Sequence, residues 1–114
     1  MSDFGALIEL KTISQTKLTA EEIRLFRNAV DKIKKENQFS DALGESFLFK
    51  IMDVDSNGSS LVVILSEYWF GDEDEQETFD FAKENDLEKI ETIAASLQAL
   101  MGKEHIVTAI FDGW

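Results

Sequence analysis

The feature that most constrains the fold is a change in the spacing of apolar residues along the chain, from every second position to every third or fourth position. Residues 4–13 begin with apolar side chains at every second position, which predicts a strand with one buried face. Residues 18–33 repeat apolar side chains every three or four positions, which predicts an amphipathic helix. Thr19 and Glu22 match the capping box that begins such a helix. The chain is therefore expected to begin as a strand followed by a helix.

The middle of the chain predicts two or three further strands. Residues 47–52 and 61–70 have the composition of strands, and the turn between them is expected at Ser56-Asn57-Gly58-Ser59, where Asn and Gly tolerate positive φ. Residues 61–65 are apolar throughout, so this strand is expected to be central and covered on both faces. Residues 78–82 alternate again, which favours an additional strand.

A second helix and a last strand complete the pattern. Asn85 precedes Glu88 by three residues, which is the spacing of a helix N-terminal cap. Apolar residues at helical spacing follow up to Gly102, a residue type that ends many helices. Residues 106–111 then predict the last strand. The predicted order is β-α-β-β-(β)-α-β.

This order predicts an α+β fold with a single domain over residues 1–114. Two helices are few enough to lie on one face of a four- or five-stranded mixed or antiparallel sheet, which makes a two-layer α/β sandwich. If residues 78–82 do not form a strand, the order becomes βαββαβ, the ferredoxin-like arrangement. Because that topology hosts many unrelated functions, it does not by itself indicate what the chain does.

Composition excludes several classes of protein. The chain has 114 residues, a formal net charge of −12 and no cysteine, so disulfides and thiolate-held zinc are excluded. It has no 18-residue apolar run and no secretory-signal pattern at its start, so we expect no membrane association and a cytoplasmic location. Direct binding to nucleic acid usually needs a basic surface, which this acidic composition disfavours.

The sequence shows no catalytic motif. His105 is the only histidine, and the chain contains neither a Gly-x-Ser-x-Gly elbow nor a glycine-rich phosphate-binding loop. We therefore expect no enzyme activity, no catalytic residue and no cofactor.

One short segment resembles part of a calcium loop. Residues 53–58 match its opening, in which Asp53, Asp55 and Asn57 supply alternate oxygen ligands. The glutamate that completes such a loop is replaced by Ile64. We therefore interpret these residues as a hairpin turn and predict no metal site, with a weak divalent-ion module as an alternative.

The uneven distribution of charge is the most informative functional feature. Residues 1–35 have a net charge of +2 and residues 36–114 a net charge of −14. Residues 67–91 alone contain eleven acidic residues and two lysines. A field of one sign steers a basic partner toward the surface and raises the association rate.

These charges and the aromatic residues beside them predict a partner-binding surface. The expected anchors are aromatic, and the acidic residues from 72 to 75 are expected in an exposed turn. Residues at the C-terminus extend this surface if the last strand lies nearby. The predicted partner-binding residues are Glu67, Tyr68, Trp69, Asp72, Glu73, Asp74, Glu75, Glu77, Asp112 and Trp114.

In size and composition the chain resembles bacterial immunity proteins, which neutralise toxins. The resemblance implies an inhibitor that blocks a basic protein, such as a nuclease toxin, sterically and electrostatically. Such a module is expected to be a monomer or a homodimer. The alternative is a structural or regulatory subunit without catalytic activity that self-associates through a strand edge or Trp114. The apolar residues 61–65 favour this alternative if their strand lies at an edge of the sheet.

Overall fold

The helices of this chain pack on one sheet of four strands. A computed structural model describes residues 3–36, 46–69 and 75–113. The elements are β1 (Asp3–Thr12), α1 (Ala20–Glu36), β2 (Lys50–Ile51), β3 (Ser60–Trp69), α2 (Glu75–Met101) and β4 (His105–Gly113). The sheet has the order β2-β3-β1-β4, and every neighbouring pair is antiparallel. The predicted α+β sandwich is confirmed, in the βαββαβ order of the ferredoxin-like arrangement.

The core lies between the helices and one face of the sheet. Successive side chains of a strand point to opposite faces, so every second residue of β1 is buried: Ala6, Ile8 and Leu10. The buried stripe of α1 consists of Phe26, Ala29, Val30 and Ile33. Among the described residues, no helix is both long enough and apolar enough to cross a membrane.

The start of α1 has the predicted capping box. The Thr19 backbone N–H donates to Oε1 of Glu22 (3.0 Å), and the Glu22 N–H donates to Oγ1 of Thr19 (3.1 Å). These two bonds satisfy backbone groups that have no partner inside the helix. The prediction of this helix from local sequence is therefore confirmed at the level of individual atoms.

The strand predicted at residues 78–82 is wrong, and so is the helix start predicted at Asn85. Both segments belong to α2, which begins at Glu75. The buried positions of α2 continue at helical spacing through Ala82, Asp86 and Ile90. Because one of these positions holds an aspartate and another a small residue, the apolar period is not visible before residue 87. The Asn85 side chain instead donates to the carbonyl of Phe81, one turn earlier (2.8 Å).

The strand predicted at residues 47–52 is shorter in the structure, where β2 contains Lys50–Ile51 only. Phe49 has a φ of +49°, a left-handed conformation that interrupts the ladder. On the far side of this interruption, the Leu48 N–H still donates to the carbonyl of Leu65 in β3 (2.8 Å). Side-chain alternation does not reveal such a backbone irregularity, so the sequence pattern overestimates the strand.

The apolar strand β3 lies inside the sheet, between β2 and β1, as its composition predicts. Residues 61–65 are therefore not an edge and do not support self-association in the way considered above. The predicted end of α2 is also confirmed. Gly102 has a φ of +88° and its N–H donates to the carbonyl of Gln98 (3.0 Å), as expected of a glycine that ends a helix.

Candidate functional site

Four acidic residues of α2 form a line along its exposed side. Asp80, Glu84, Glu88 and Glu91 are all exposed and follow one another at intervals of four, four and three residues. These intervals keep side chains on the same side of a helix. From first to last, the line extends for about 16 Å at the helical rise of 1.5 Å per residue. We call these four residues the acidic ridge.

Glu84, Glu88 and Glu91 of the acidic ridge are not neutralised by the described part of their own helix. Among the described residues, no ion pair involves Glu84, Glu88 or Glu91. Lys89 instead lies 3.8 Å from the carboxylate of Asp86, which is fully buried. Carboxylates three or four residues apart repel one another and destabilise a helix by about 0.2–0.5 kcal/mol per pair. Such an arrangement is disfavoured for stability alone.

An aromatic side chain lies within the acidic ridge. Phe81 is 50% exposed, three residues before Glu84 and seven before Glu88, so all three share one side of α2. The sequence analysis missed Phe81 because its alternation with polar neighbours indicated a strand. Its helical spacing from Glu84 and Glu88 is the signal that identifies it.

The structure brings Glu67 and Asp112 into one row at the end of the sheet. Both are opposite Gly5 of β1, Glu67 in β3 and Asp112 in β4. Because β1 separates the two strands, the backbones of these two residues lie two strand spacings apart, which is about 9–10 Å. The last strand therefore lies one strand away from β3, on the other side of β1, which was the condition for including the C-terminal residues. Glu67 is exposed.

The other predicted residues are placed only in part. Tyr68 and Trp69 lie opposite Phe4 and Asp3 in the ladder between β3 and β1. Glu75 and Glu77 belong to the first turn of α2, where negative charge also favours the helix dipole. The prediction that Glu75 lies in an exposed turn is wrong, because Glu75 is the first residue of α2. The remaining predicted residues, Asp72, Glu73, Asp74 and Trp114, lie outside the described residues.

His105 joins the two helices at the opposite end of the molecule. Its Nε2 is hydrogen-bonded to Oε2 of Glu22 in the first turn of α1, and its Nδ1 lies 3.2 Å from the carbonyl oxygen of Met101 in α2. Both partners are acceptors, so both bonds form together only when each ring nitrogen carries a hydrogen. Both ring nitrogens therefore contact acceptors within the protein.

Hydrogen bonds hold Glu22 in its ionised form. The bond from the Thr19 backbone, and to a smaller extent that from His105, lowers the pKa of Glu22 below its ordinary value of 4.5. The sequence analysis missed this pair because 83 residues separate its members. Local motifs cannot reveal such a contact.

An open cavity of about 640 Å³ lies beside this pair. Hydroxyl groups of Thr12, Ser14, Thr16 and Thr19 contribute to its lining. These groups bond to one another or to the nearby backbone: Thr12 Oγ1 lies 3.1 Å from Thr16 Oγ1 and accepts from the Thr16 N–H (2.8 Å). The hydrogen-bonding capacity of the cavity is thus largely used within the protein.

Asp55 organises the turn that resembles a calcium loop. Its Oδ1 accepts from the N–H groups of Ser59 (2.8 Å) and Ser60 (3.3 Å), and Gly58 has a φ of +71°. These bonds, above all the one from Ser59, lower the pKa of Asp55. In the described part of the chain, no group of three or more His, Cys, Asp or Glu residues is arranged to hold a metal ion.

Comparisons with known proteins add no relative to these observations. No protein-family model matches the chain, and neither a curated protein nor a solved structure is significantly similar to it.

Proposed function

We propose that this chain is a protein-binding module that recognises a basic protein through the acidic ridge of α2 and Phe81. The observation that carries the proposal is the half-exposed ring of Phe81 beside Glu84 and Glu88, two carboxylates that have no counterion in the described residues. Aromatic side chains supply most of the binding energy in many interfaces, and surrounding charges select the partner. Charged residues alone would be enough to keep the protein in solution, so solubility does not explain the exposed aromatic ring.

The acidic ridge acts first on the rate of association. Its carboxylates attract lysines and arginines of the partner over a distance of about 10 Å at 0.1 M salt. Phe81 then contacts the partner surface and excludes water from the nearest ion pairs, which strengthens them. The proposal retains Glu67, Asp72, Glu73 and Asp74 as further acidic residues that attract the partner at long range.

The specific form of the proposal is an inhibitor of the immunity type. An enzyme that acts on nucleic acid has a basic substrate cleft, and a rigid acidic helix fits such a cleft both sterically and electrostatically. The bound module then blocks the substrate without performing chemistry. A cytoplasmic location fits this role, since a chain with no cysteine does not depend on an oxidising compartment.

Capture from a lysate of the source cells tests the proposal with two matched variants. The ridge variant carries Glu84→Gln, Glu88→Gln and Glu91→Gln. The control variant carries Glu21→Gln, Asp31→Asn and Glu36→Gln, which removes the same charge from exposed positions of α1. We expect wild type and control to capture the same basic protein, identified by mass spectrometry, and the ridge variant and Phe81→Ser to lose it.

Two results would contradict the proposal. One is a captured protein that binds the ridge variant as well as it binds wild type. The other is a partner with no excess of basic residues. Circular dichroism of each variant verifies that the loss of capture does not come from loss of the fold.

A further inference from the structure

The edge strand β4 contains an uncharged segment with strong β-propensity. Residues 106–111 are Ile-Val-Thr-Ala-Ile-Phe, without charge, proline or glycine. Ile106 is 45% exposed, and β4 lies at the edge of the sheet, next to β1 only. Natural edge strands are usually short or charged, because unpaired backbone groups recruit other strands. The opposite edge follows this rule, since β2 contains two residues.

The hydrogen bonds of β4 define which backbone groups point away from the sheet. The Ile13 N–H donates to the carbonyl of Glu104 (2.9 Å), which identifies the even-numbered residues of β4 as those bonded to β1. The odd-numbered residues therefore direct their N–H and C=O groups outward. Among the described residues, none is hydrogen-bonded to the outward groups of Ala109.

Gln98 of α2 occupies the first part of this edge. Its Nε2 donates to the carbonyl of His105 (2.7 Å), and its Oε1 accepts from the N–H of Val107 (2.9 Å). The side-chain amide thus takes the position that a neighbouring strand would have. Another strand can therefore form backbone hydrogen bonds with β4 only from the Val107 carbonyl onward.

We propose that β4 pairs antiparallel with β4 of a second copy of this chain, around a two-fold axis at Ala109. This axis places Val107 opposite Phe111 of the second copy, and Thr108 opposite Ile110. Pairs of aromatic and β-branched residues are favourable cross-strand neighbours. The segment is therefore complementary to itself, which is the requirement for a two-fold interface.

The absence of charge in residues 106–111 makes this segment the least unfavourable place for contact between two copies. Copies with a net charge of −12 repel one another, and this repulsion is weakest where the contacting segments carry no charge themselves. The resulting interface involves one short strand from each copy. It is smaller than that of a permanent dimer, so we expect association at about 10 μM to 1 mM chain.

Sedimentation velocity over this concentration range tests the proposal. We expect the mass of wild type to rise toward two chains, and Ala109→Pro to weaken association at least about tenfold, because proline removes both central hydrogen bonds. The same substitution leaves the bonds to β1 intact. Gln98→Ala releases the groups at His105 and Val107, and we expect it to tighten association about threefold or more.

A second measurement covers the case in which Ala109→Pro does not fold. Thr108 is exposed, and in the proposed pair its copies lie about 7–8 Å apart, diagonally across the two strands. Because the chain has no cysteine, the variant Thr108→Cys contains a single thiol. A cross-linker of about 7–8 Å that reacts with thiols can therefore join two copies only through position 108. Thr92→Cys, exposed on α2, is the matched control.

Efficient cross-linking of Thr108→Cys and not of Thr92→Cys supports the pair. A wild-type chain that stays monomeric throughout, or cross-linking that is equal for the two variants, overturns it. A folded Ala109→Pro variant that associates like wild type also overturns it. Ridge variants are expected to associate normally, so a failure here is distinct from a failure of partner recognition.

Discussion

His105, at the start of β4, is hydrogen-bonded to Glu22 in the first turn of α1. Through the second ring nitrogen, the same imidazole contacts the Met101 carbonyl at the end of α2. One buried side chain therefore connects both helices to the sheet. This contact, far from the acidic ridge, is expected to serve stability.

Replacement of His105 by alanine should lower the free energy of unfolding by about 1–3 kcal/mol, since two hydrogen bonds are lost and Glu22 loses a partner. Urea denaturation of both proteins measures this difference. Thr92→Ala, which removes one exposed hydroxyl on α2, is a control that should change it little. A denaturation curve of His105→Ala that equals that of wild type would show that the contact does not stabilise the fold.

Glu22→Gln separates the ion pair from the capping box, because glutamine also accepts the Thr19 N–H. The lowered pKa of Glu22 means that its ionised form stabilises the folded state. This contribution is complete above the ordinary value of 4.5 and is lost as the pH falls through the lower, folded-state pKa. Glu22→Gln should therefore be less stable than wild type at about pH 6, with a difference that shrinks toward about pH 3. A difference that grows on acidification would contradict this assignment.

Asp55→Ala should lower the midpoint of urea denaturation, because the Ser59 and Ser60 amides lose their acceptor. Asp53→Ala, an exposed aspartate in the same segment, is the control and should have a smaller effect. We also expect millimolar Ca²⁺ to leave the melting temperature of wild type unchanged, since Asp55 already bonds within the turn. A rise in melting temperature with Ca²⁺ would favour the divalent-ion alternative.

The ridge variant should be more stable than wild type, by about 0.5–1 kcal/mol, because it removes repulsion between carboxylates three and four residues apart. The control variant should not gain stability, since Glu21 lies in the first turn of α1, where negative charge is favourable. Thermal denaturation at low salt compares the three proteins. Equal or lower stability of the ridge variant would remove the evidence that wild type retains these charges for binding.

Local sequence predicts the parts of the fold that depend on neighbouring residues. The capping box of Thr19 and Glu22, the interior strand at residues 61–65 and the glycine after α2 are all confirmed, because each follows from local backbone geometry or burial. The beginning of α2 is not predicted. Its buried face includes Asp86, and a charged residue at a buried position breaks the apolar period on which the prediction depends.

The candidate site is predicted only in its chemistry. The concentration of acidic residues is visible in the sequence, but its arrangement depends on the helix that was read as a strand and a turn. Phe81 therefore becomes recognisable only once α2 is known to extend through residues 78–82. Gln98 and His105 act on partners that tertiary packing brings to them, and no pattern of spacing identifies such contacts.

The most direct test of the account is the affinity of the captured partner for wild type and for the ridge variant, measured by isothermal titration calorimetry at about 50 mM and about 500 mM salt. The account predicts that wild type binds at least about tenfold more weakly at high salt. It also predicts that the ridge variant binds at least about tenfold more weakly than wild type at low salt. Equal affinities of the two proteins, with no dependence on salt, would contradict recognition by the acidic ridge.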